Sequence, residues 1–567
     1  MTATQITSER VDDLPLIVHW LKQMGVAEQI DEQLKPAHGN RKGLSYGQLS
    51  VLLLTYVVSQ SDHRFSHVEG WVRAHRRTLE QASGWTIGEK DASDDRLADL
   101  VSAIGSSPHL ASLEEAMAQQ VVRAYALPTE IARCDSSSFS VYHQAQGEGS
   151  SEPLLQYGYS KDHRPDLRQY RHALATLDPA GIPLLSATLA GNGDDDSIYY
   201  PFWNRLVAVI GHRHFVYIAD AKAASYPTRA QLDQAGGVYC FPLPMTGQTP
   251  QRLQQWVIAP PAQQQSIALP HQSVEEPPAC CGFELSLGNL WHNPTTQQVY
   301  GWCERYLVIR SEAFAQQQRQ ALDQRLEKTQ QALDKLSLKA AKDCCVLKNQ
   351  GQAILKRYRS EDYFTTEVQT QQVIQQVGRG RPNPKHPKPQ KIIEQFSLQV
   401  QRQPEAIEQA YALCGWRLYV TNAPPEQFSL ADAVIYYREQ WQVERGFHRF
   451  KRGQLPALPM FLQDPERIVG LMFLLTIALR LFTLMEFVVR QQLQTLHQSL
   501  DELYAGNPKR KTERPSAEQL LSAFREITLY FLNDGTVEIS PLTPLQQRIL
   551  ALMRVPLSIY QRPDPVQ

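Results

Sequence analysis

IARCDSSSFSVY (residues 131–142) and HFVYIAD (residues 214–220) decide the fold. Both are short runs of β-type composition, and each carries one aspartate, Asp135 and Asp220. Between them, RHALATLD and IPLLSATLA flank PAG, the pattern of a β-hairpin. GNGDDDS then leads into SIYYPFWNRLVAVIG, an apolar-periodic helix with acidic and serine residues at its start. GGVYCFPLP, downstream of Asp220, is another strand. The order β-β-β-α-β-α-β makes this region an α/β domain.

On the N-terminal side, LPLIVHWLKQMGV, SYGQLSVLLLTYVVSQ and DRLADLVSAIG carry apolar residues at helical spacing. Residues 1–128 therefore read as a helical domain suited to DNA binding, dimerisation or both. On the C-terminal side the α/β pattern breaks off. ACCGFELSLGNLWH and QQVYGWCERYLVIR read as antiparallel strands, and AFAQQQRQALDQRLEKTQQALDKLSLK as a long helix. Leu322, Leu326, Leu333 and Leu336 share one stripe of that helix, which suits a helical hairpin or a short coiled coil. GRGRPNPKHPKPQK is a basic, proline-rich linker, and WRLYVTN resumes a strand near 416. The expected organisation is a first part of the core at 129–243, an insertion at 244–412, a second part at 413–495 and a helical tail at 496–567.

A chain of 567 residues fits roughly three to five domains. With 42% hydrophobic and 20% charged residues, global disorder and a collagen-like fibre are excluded. Lys plus Arg is 57 and Asp plus Glu is 58, so bulk positive charge cannot hold nucleic acid and local patches must. The eight cysteines include no C-x-x-C pair; they point to a reduced cytosolic compartment, with the pairs 280/281 and 344/345 read as buried thiols rather than metal ligands. MTATQITSERVDD lacks the basic and apolar regions of a signal peptide. The apolar stretch from Ile468 to Arg490 is interrupted by Arg480 and Glu486, so it reads as a buried core helix and no membrane partner is expected.

The chemistry lies with the acids. An aspartate at the mouth of a buried strand must be paired, solvated or metal-bound, and capping of the next turn is the plain reading of Asp135 or Asp220 alone. Downstream, Ser429 and Asp432 form a helix start, and the helix is expected to run on through ADAVIYYREQWQVERGFHRFK. At ~100° per residue, Tyr437, Gln440, Glu444, His448 and Lys451 fall within about 80° of one another. Three carboxylates from a strand, a neighbouring strand and a nearby helix suit two divalent ions about 3.5–4 Å apart, the arrangement of phosphodiester chemistry. Such ions prefer carboxylate oxygen.

CDSSSF around Asp135, YGYSKDHRPDLRQY at 157–170, GIPLLSATLAGN, FVYIADAKAAS around Asp220 and YYREQWQVERGFHRFK around Glu444 occur in that order. Together they resemble the DDE transposases of bacterial insertion sequences, in the insertion-sequence-four superfamily. GYSKDHRPD is most similar to the branch named for insertion sequence sixteen-thirty-four. The resemblance spans the chain to about residue 490. It implies an α/β, ribonuclease-H-like catalytic core interrupted by a β-containing insertion, with helical N-terminal and C-terminal domains. It implies a catalytic and metal-binding triad of Asp135, Asp220 and Glu444, loaded with Mg²⁺ or, in its place, Mn²⁺. The family signature around the glutamate is Tyr, two residues, Arg, three residues, Glu, six residues, Lys. Tyr437, Glu444 and Lys451 match it, which implies that Tyr437 positions the end strand and Lys451 contacts phosphate. The arginine position holds Gln440, with Arg438 and Arg445 nearby on other helix faces as candidate DNA contacts. The implied partners are double-stranded DNA, as terminal inverted repeats and as target, and a second copy of the chain in a homodimer on paired ends. The implied location is the bacterial cytoplasm, at the nucleoid.

Other features keep two readings. Lys161 and Arg164, with His163 and Asp166, touch DNA phosphates or form loop salt bridges. Arg379 and Arg381 form an AT-hook-like core for a minor groove or belong to a plain basic linker. Asp194, Asp195 and Asp196 read as a capped, solvated turn, and Trp291 and Trp302 as core packing before base stacking. The functional readings are a transposase, a metal-dependent nuclease acting outside transposition, or a DNA-binding protein with impaired catalysis.

Overall fold

The structure, a computed structural model, describes residues 7–34, 42–143, 154–193, 195–270, 272, 278–337, 343–378, 390–532 and 536–561. Arg379, Arg381 and Asp194 lie outside the described residues. The chain divides into two units. One comprises Met1–Phe241, Asn289–Trp302 and Tyr436–Gln567; the other comprises Pro242–Gly288 and Cys303–Ile435.

In the first unit, helices fill the chain from Leu14–Gln23 to Leu110–Ala124. The α/β region follows as β1 (Ile131–Val141), β2 (Arg168–Leu177), β3 (Ile182–Ala190), α1 (Tyr199–Ile210), β4 (Val216–Ala219), α2 (Tyr226–Gln234) and β5 (Val238–Pro242). The strand order is β3-β2-β1-β4-β5. β1 pairs antiparallel with β2, and β2 with β3. β4 lies parallel to β1, with Cys134 opposite Ala219, and β5 lies parallel to β4. VYIA is apolar at every position because a parallel central strand is covered on both faces, and all four residues are buried.

The apolar stretch near the C-terminus becomes α5 (Pro465–Leu496), after α3 (Leu430–Arg438) and α4 (Trp441–Arg452). It is long and apolar enough to cross a membrane, but 94% of its most apolar window is buried within the protein. It packs on β3 and on the helix Asp94–Gly105. Gly470 permits that approach, since a Cβ there would stand 2.0 Å from the Val101 carbonyl oxygen. The two charges that interrupt the apolar run of α5, Arg480 and Glu486, are both bonded. Arg480 donates to the carbonyls of Pro183 and Leu184 at 2.8 Å each, tying the helix to the start of β3. Glu486 accepts from Arg445 and Arg490 at 2.9 Å, from Arg449, and from the Ala517 N–H at 3.0 Å.

Residues 496–567 are not the helical tail expected. They hold strands Thr528–Phe531 and Val537–Ile539, and the first of these pairs with Thr7–Arg10 at the other end of the chain. TLYF and VEI pair with each other and are too short to show a period, and the other partner of TLYF is more than 500 residues away in sequence. The short helices Ala517–Ser522 and Pro544–Leu552 complete the segment.

In the second unit, the strands follow the order Trp416–Thr421, Val299–Ser311, Cys280–His292 and Gln265–Ile267. The tip of the hairpin between the middle two, Asn289–Trp302, belongs to the first unit. There Trp302 is buried and donates to the Tyr239 hydroxyl at 3.1 Å. The leucine-striped helix Glu312–Ser337 packs with the helix Cys344–Arg357 and the ribbon Phe364–Gln376/Gln390–Arg402. Leu322, Leu326, Leu333, Leu347, Leu355, Phe364 and Leu398 form their common core. Cys344 and Cys345 are exposed, not buried thiols, because the buried face of their helix is set by Leu347, Gly351 and Leu355. Cys280 is buried and Cys281 partly so.

Glu486 joins α4 to α5 through buried ion pairs, and removing one partner leaves buried charge uncompensated. Glu486→Gln is expected to cost about 3–5 kcal/mol. A urea denaturation midpoint equal to that of the unsubstituted protein would show that the arginines find other partners.

Candidate active site

The parallel register places Asp135 and Asp220 side by side. Cys134 lies opposite Ala219, so the next residue of each strand is an aspartate at the same sheet end. Asp220 also caps the turn that follows, accepting the Lys222 N–H at 3.0 Å. The Tyr199 hydroxyl at the start of α1 donates to the same oxygen at 2.5 Å. Asp135 accepts the Ser136 N–H at 2.7 Å and faces the Lys161 ammonium at 3.8 Å.

Glu444 lies on the exposed side of α4, in its first turn, and its charge reaches Asp135. Burial pushes the Asp135 carboxyl up to about 6. The carboxylates of Asp220 and Glu444 push it the same way, with Asp220 the stronger, while Lys161 and the Ser136 N–H oppose them. The three acids therefore share one electrostatic site. As a set, their oxygens do not close to within 4.8 Å of one another; among the described residues only Asp343, Cys344 and Cys345 do so, on an exposed helix start.

The helix expected to run unbroken to Lys451 is interrupted. α3 ends at Arg438 and α4 begins at Trp441. Ser429 and Asp432 do form the expected cap, with Ser429 donating to Asp432 and accepting the Asp432 N–H. At the break, Glu439 and Gln440 donate three residues back, to the carbonyls of Tyr436 and Tyr437. The segment contains neither Gly nor Pro, so its residue types gave no sign of the break.

The other expected site residues divide by their partners. Lys161 donates to the Ser136 carbonyl beside Asp135. Lys451 pairs with Asp162 at 2.8 Å and lies over the Phe139 ring. Arg164 grips Asp166 through two bonds, of 2.8 and 2.7 Å, and donates to the Tyr142 hydroxyl. Arg445 is committed to Glu486 and so anchors α4 from its far side. Arg438 is exposed and Tyr437 half-buried. Sequence reasoning missed Tyr199 and Arg133. Arg133 is wholly buried on β1, two residues before Asp135 and on the same face of the strand, and it is paired with Asp178. A charged residue in phase with a candidate acid inside a buried strand was the available signal.

The donor set fits a hard divalent cation. Asp135, inside β1, stands beside Asp220 at the end of β4, the repulsion of Asp220 and Glu444 shows in Asp135, and the ammonium of Lys161 opposes it. The sign of the pH dependence follows. Burial holds the folded carboxyl of Asp135 at about 6, above the ordinary aspartate range, so its ionisation destabilises the metal-free fold as pH rises through that interval. Asp135→Asn is expected to stabilise the metal-free protein by about 1–3 kcal/mol at pH 7.5 and by nothing at pH 4. Excess Mg²⁺ should raise the melting temperature of the wild type and not of the variant. Melting curves in chelator and in Mg²⁺ measure both; a variant less stable in chelator at pH 7.5 would contradict the assignment.

The family model for the transposase DDE domain matches residues 128–481. No curated protein is similar to this chain at a significant level. A solved structure, the synaptic complex of the piggyBac transposase with hairpin DNA, is similar over 99% of this chain and 89% of that chain. The TM-score is 0.36 and the identity 8%, too distant a likeness to bear on the fold. The domain match covers more than half of the sequence, and the chain belongs to the DDE transposase family.

Proposed function

We propose that this protein is the transposase of a bacterial insertion sequence. It binds the inverted-repeat ends of its element, hydrolyses a phosphodiester at each end and joins the freed 3′-hydroxyl to target DNA. The observation that carries the reading is the shared site of Asp135, Asp220 and Glu444 within a chain of this family. The strand order β3-β2-β1-β4-β5, with three antiparallel strands followed by two parallel ones, supports a ribonuclease-H-like core.

Asp135, Asp220 and Glu444 would hold the Mg²⁺ ions, with Mn²⁺ as substitute. When bound, such ions supply Lewis-acid stabilisation and an activated oxygen nucleophile. Tyr199 and the Lys222 N–H orient the Asp220 carboxylate. Lys161 offsets negative charge at Asp135 in the DNA-free protein and stands where a phosphate would enter. Lys451 can exchange Asp162 for a phosphate, because a partly exposed ion pair contributes only about 0–1 kcal/mol. Tyr437, Arg438 and Arg164 line the same approach in this reading, and Arg379 and Arg381 are further DNA contacts in it, as an AT-hook-like basic sequence. Two ends must be cut and joined together, so the working form is a homodimer on DNA, acting in the cytoplasm on the nucleoid.

Cleavage of labelled duplexes that carry the DNA flanking the reading frame tests the proposal. Wild type with Mg²⁺ or Mn²⁺ is expected to cut at the repeat boundary, and Glu444→Gln to be slower by at least about 10³-fold. Equal rates would make Glu444 a surface acid and remove it from the site. Cutting of repeat and scrambled DNA alike would favour a nuclease outside transposition.

A further inference from the structure

We propose that Arg133 is a positioning residue that sets the start of α4, and so brings Glu444 to Asp135 and Asp220, with Gln440 as its contact on the helix. The inference rests on the triad reading above. It accounts for the glutamine at the one signature position that departs from the family pattern.

Arg133 is fully buried, where a guanidinium needs partners in good geometry. Its Nε and Nη2 hold both oxygens of Asp178 at 2.7 Å. Asp178 is itself buried, just after the end of β2, so the pair is fixed to the sheet. The remaining nitrogen, Nη1, donates to the Gln440 side-chain oxygen at 3.4 Å, and Nη2 lies 3.8 Å from a Glu439 carboxylate oxygen. Glu439 and Gln440 are the two residues at which the helix is interrupted. A kink without proline or glycine has a tertiary cause, and the guanidinium that meets both side chains supplies one. The turn between β2 and β3 backs the same point. A Cβ added at Gly181, whose φ is +63°, would stand 3.1 Å from the Gln442 carbonyl oxygen.

The consequence for the site is geometric. Starting α4 one residue earlier or later would turn Glu444 by ~100° about the helix axis, away from the aspartates. Arg133 shares its strand face with Asp135, so one strand carries both the first acid and the group that places the third. An arginine at 440 would bring a second guanidinium against Arg133. Glutamine offers an acceptor instead, and the positive charge is carried by the strand.

The test is an exchange of the two side chains in the full-length protein: Arg133→Gln, Gln440→Arg and the double variant. Each single change is expected to lower the cleavage kcat by about 10–100-fold, with KM for DNA changed by less than about threefold. Each should also weaken Mn²⁺ binding measured by calorimetry. The double variant is expected to recover at least about tenfold in kcat over either single one and to regain Mn²⁺ affinity. Losses that simply multiply in the double variant, or singles that cut and bind Mn²⁺ like wild type, would overturn the inference. If Arg133→Gln fails to fold because Asp178 is stranded, Gln440→Leu keeps that pair and should show the same loss of kcat; wild-type kcat and Mn²⁺ affinity in it would overturn the inference too. If wild type cuts no DNA, the transposase reading fails separately, and Mn²⁺ affinity across the same variants decides the role of Arg133.

Discussion

The parallel pairing of β1 with β4, with Cys134 opposite Ala219, is the constraint on which the site depends. It brings two aspartates 85 positions apart in sequence to adjacent places at one sheet end. A parallel pair is covered on both faces, which is why VYIA is apolar throughout; Asp220 follows the end of that strand, and Asp135 stands within β1 beside the point where its parallel partner stops. The same burial raises the Asp135 carboxyl to about 6, so the metal-free site carries an electrostatic penalty that a cation would relieve. In the proposed reading, the register that places the two aspartates together also creates the demand for the ion they would hold.

The third acid reaches that site by a different route. The chain leaves the first unit in β5, re-enters it briefly at Asn289–Trp302 while building the second, and returns at Tyr436. The buried apolar face of α4, with Val443, Phe447 and Phe450, sets which side of the returning helix meets the rest of the unit. Two charge clusters add to that face. On the far side of α4, Arg445 and Arg449 bind Glu486 of α5, and Arg449 also binds Glu518. At its start, Arg133 and Asp178 meet Glu439 and Gln440. α5 is held to β3 by Arg480, so the charges that interrupt its apolar run connect the helix to the sheet on which the aspartates stand.

These contacts divide what could be read in the sequence from what could not. β1, β4 and β5 were legible because β-branched and aromatic residues cluster there, and α5 because its apolar run exceeds any turn signal. Asp220 stood out at a strand end and Glu444 in a stripe with Tyr437 and Lys451; Asp135 was read at the end of a short apolar run, whereas β1 continues past it to Val141. The helix break at 439–440 was not legible, since REQW has the composition of a continuous helix and the cause lies some 300 residues upstream on β1. The strands near 530 were missed because they are only four and three residues long and the sheet is completed by Thr7–Arg10 at the other end of the chain. Cys344 and Cys345 were misjudged because a cysteine pair does not say which helix face it occupies.

Partner geometry also sorts the cations into two classes, which composition could not do in a chain of net charge −1. Lys451, Arg164 and Lys161 are partly exposed and each meets one nearby carboxylate in the YGYSKDHRPD region or at Asp135. Such pairs hold the loop in place without DNA and give way to a polyanion at little cost, because the competing phosphate is the stronger acceptor and its counterions are released. Arg133 and Arg449 are buried against acids that have no access to water. Arg445, though one residue from Glu444, is tied to the same buried Glu486, and withdrawing it would strip one of the charges that balance that acid. Proximity to a candidate catalytic residue therefore does not make an arginine a DNA contact. Exchangeability does, and that depends on whether the acid it leaves behind can be solvated.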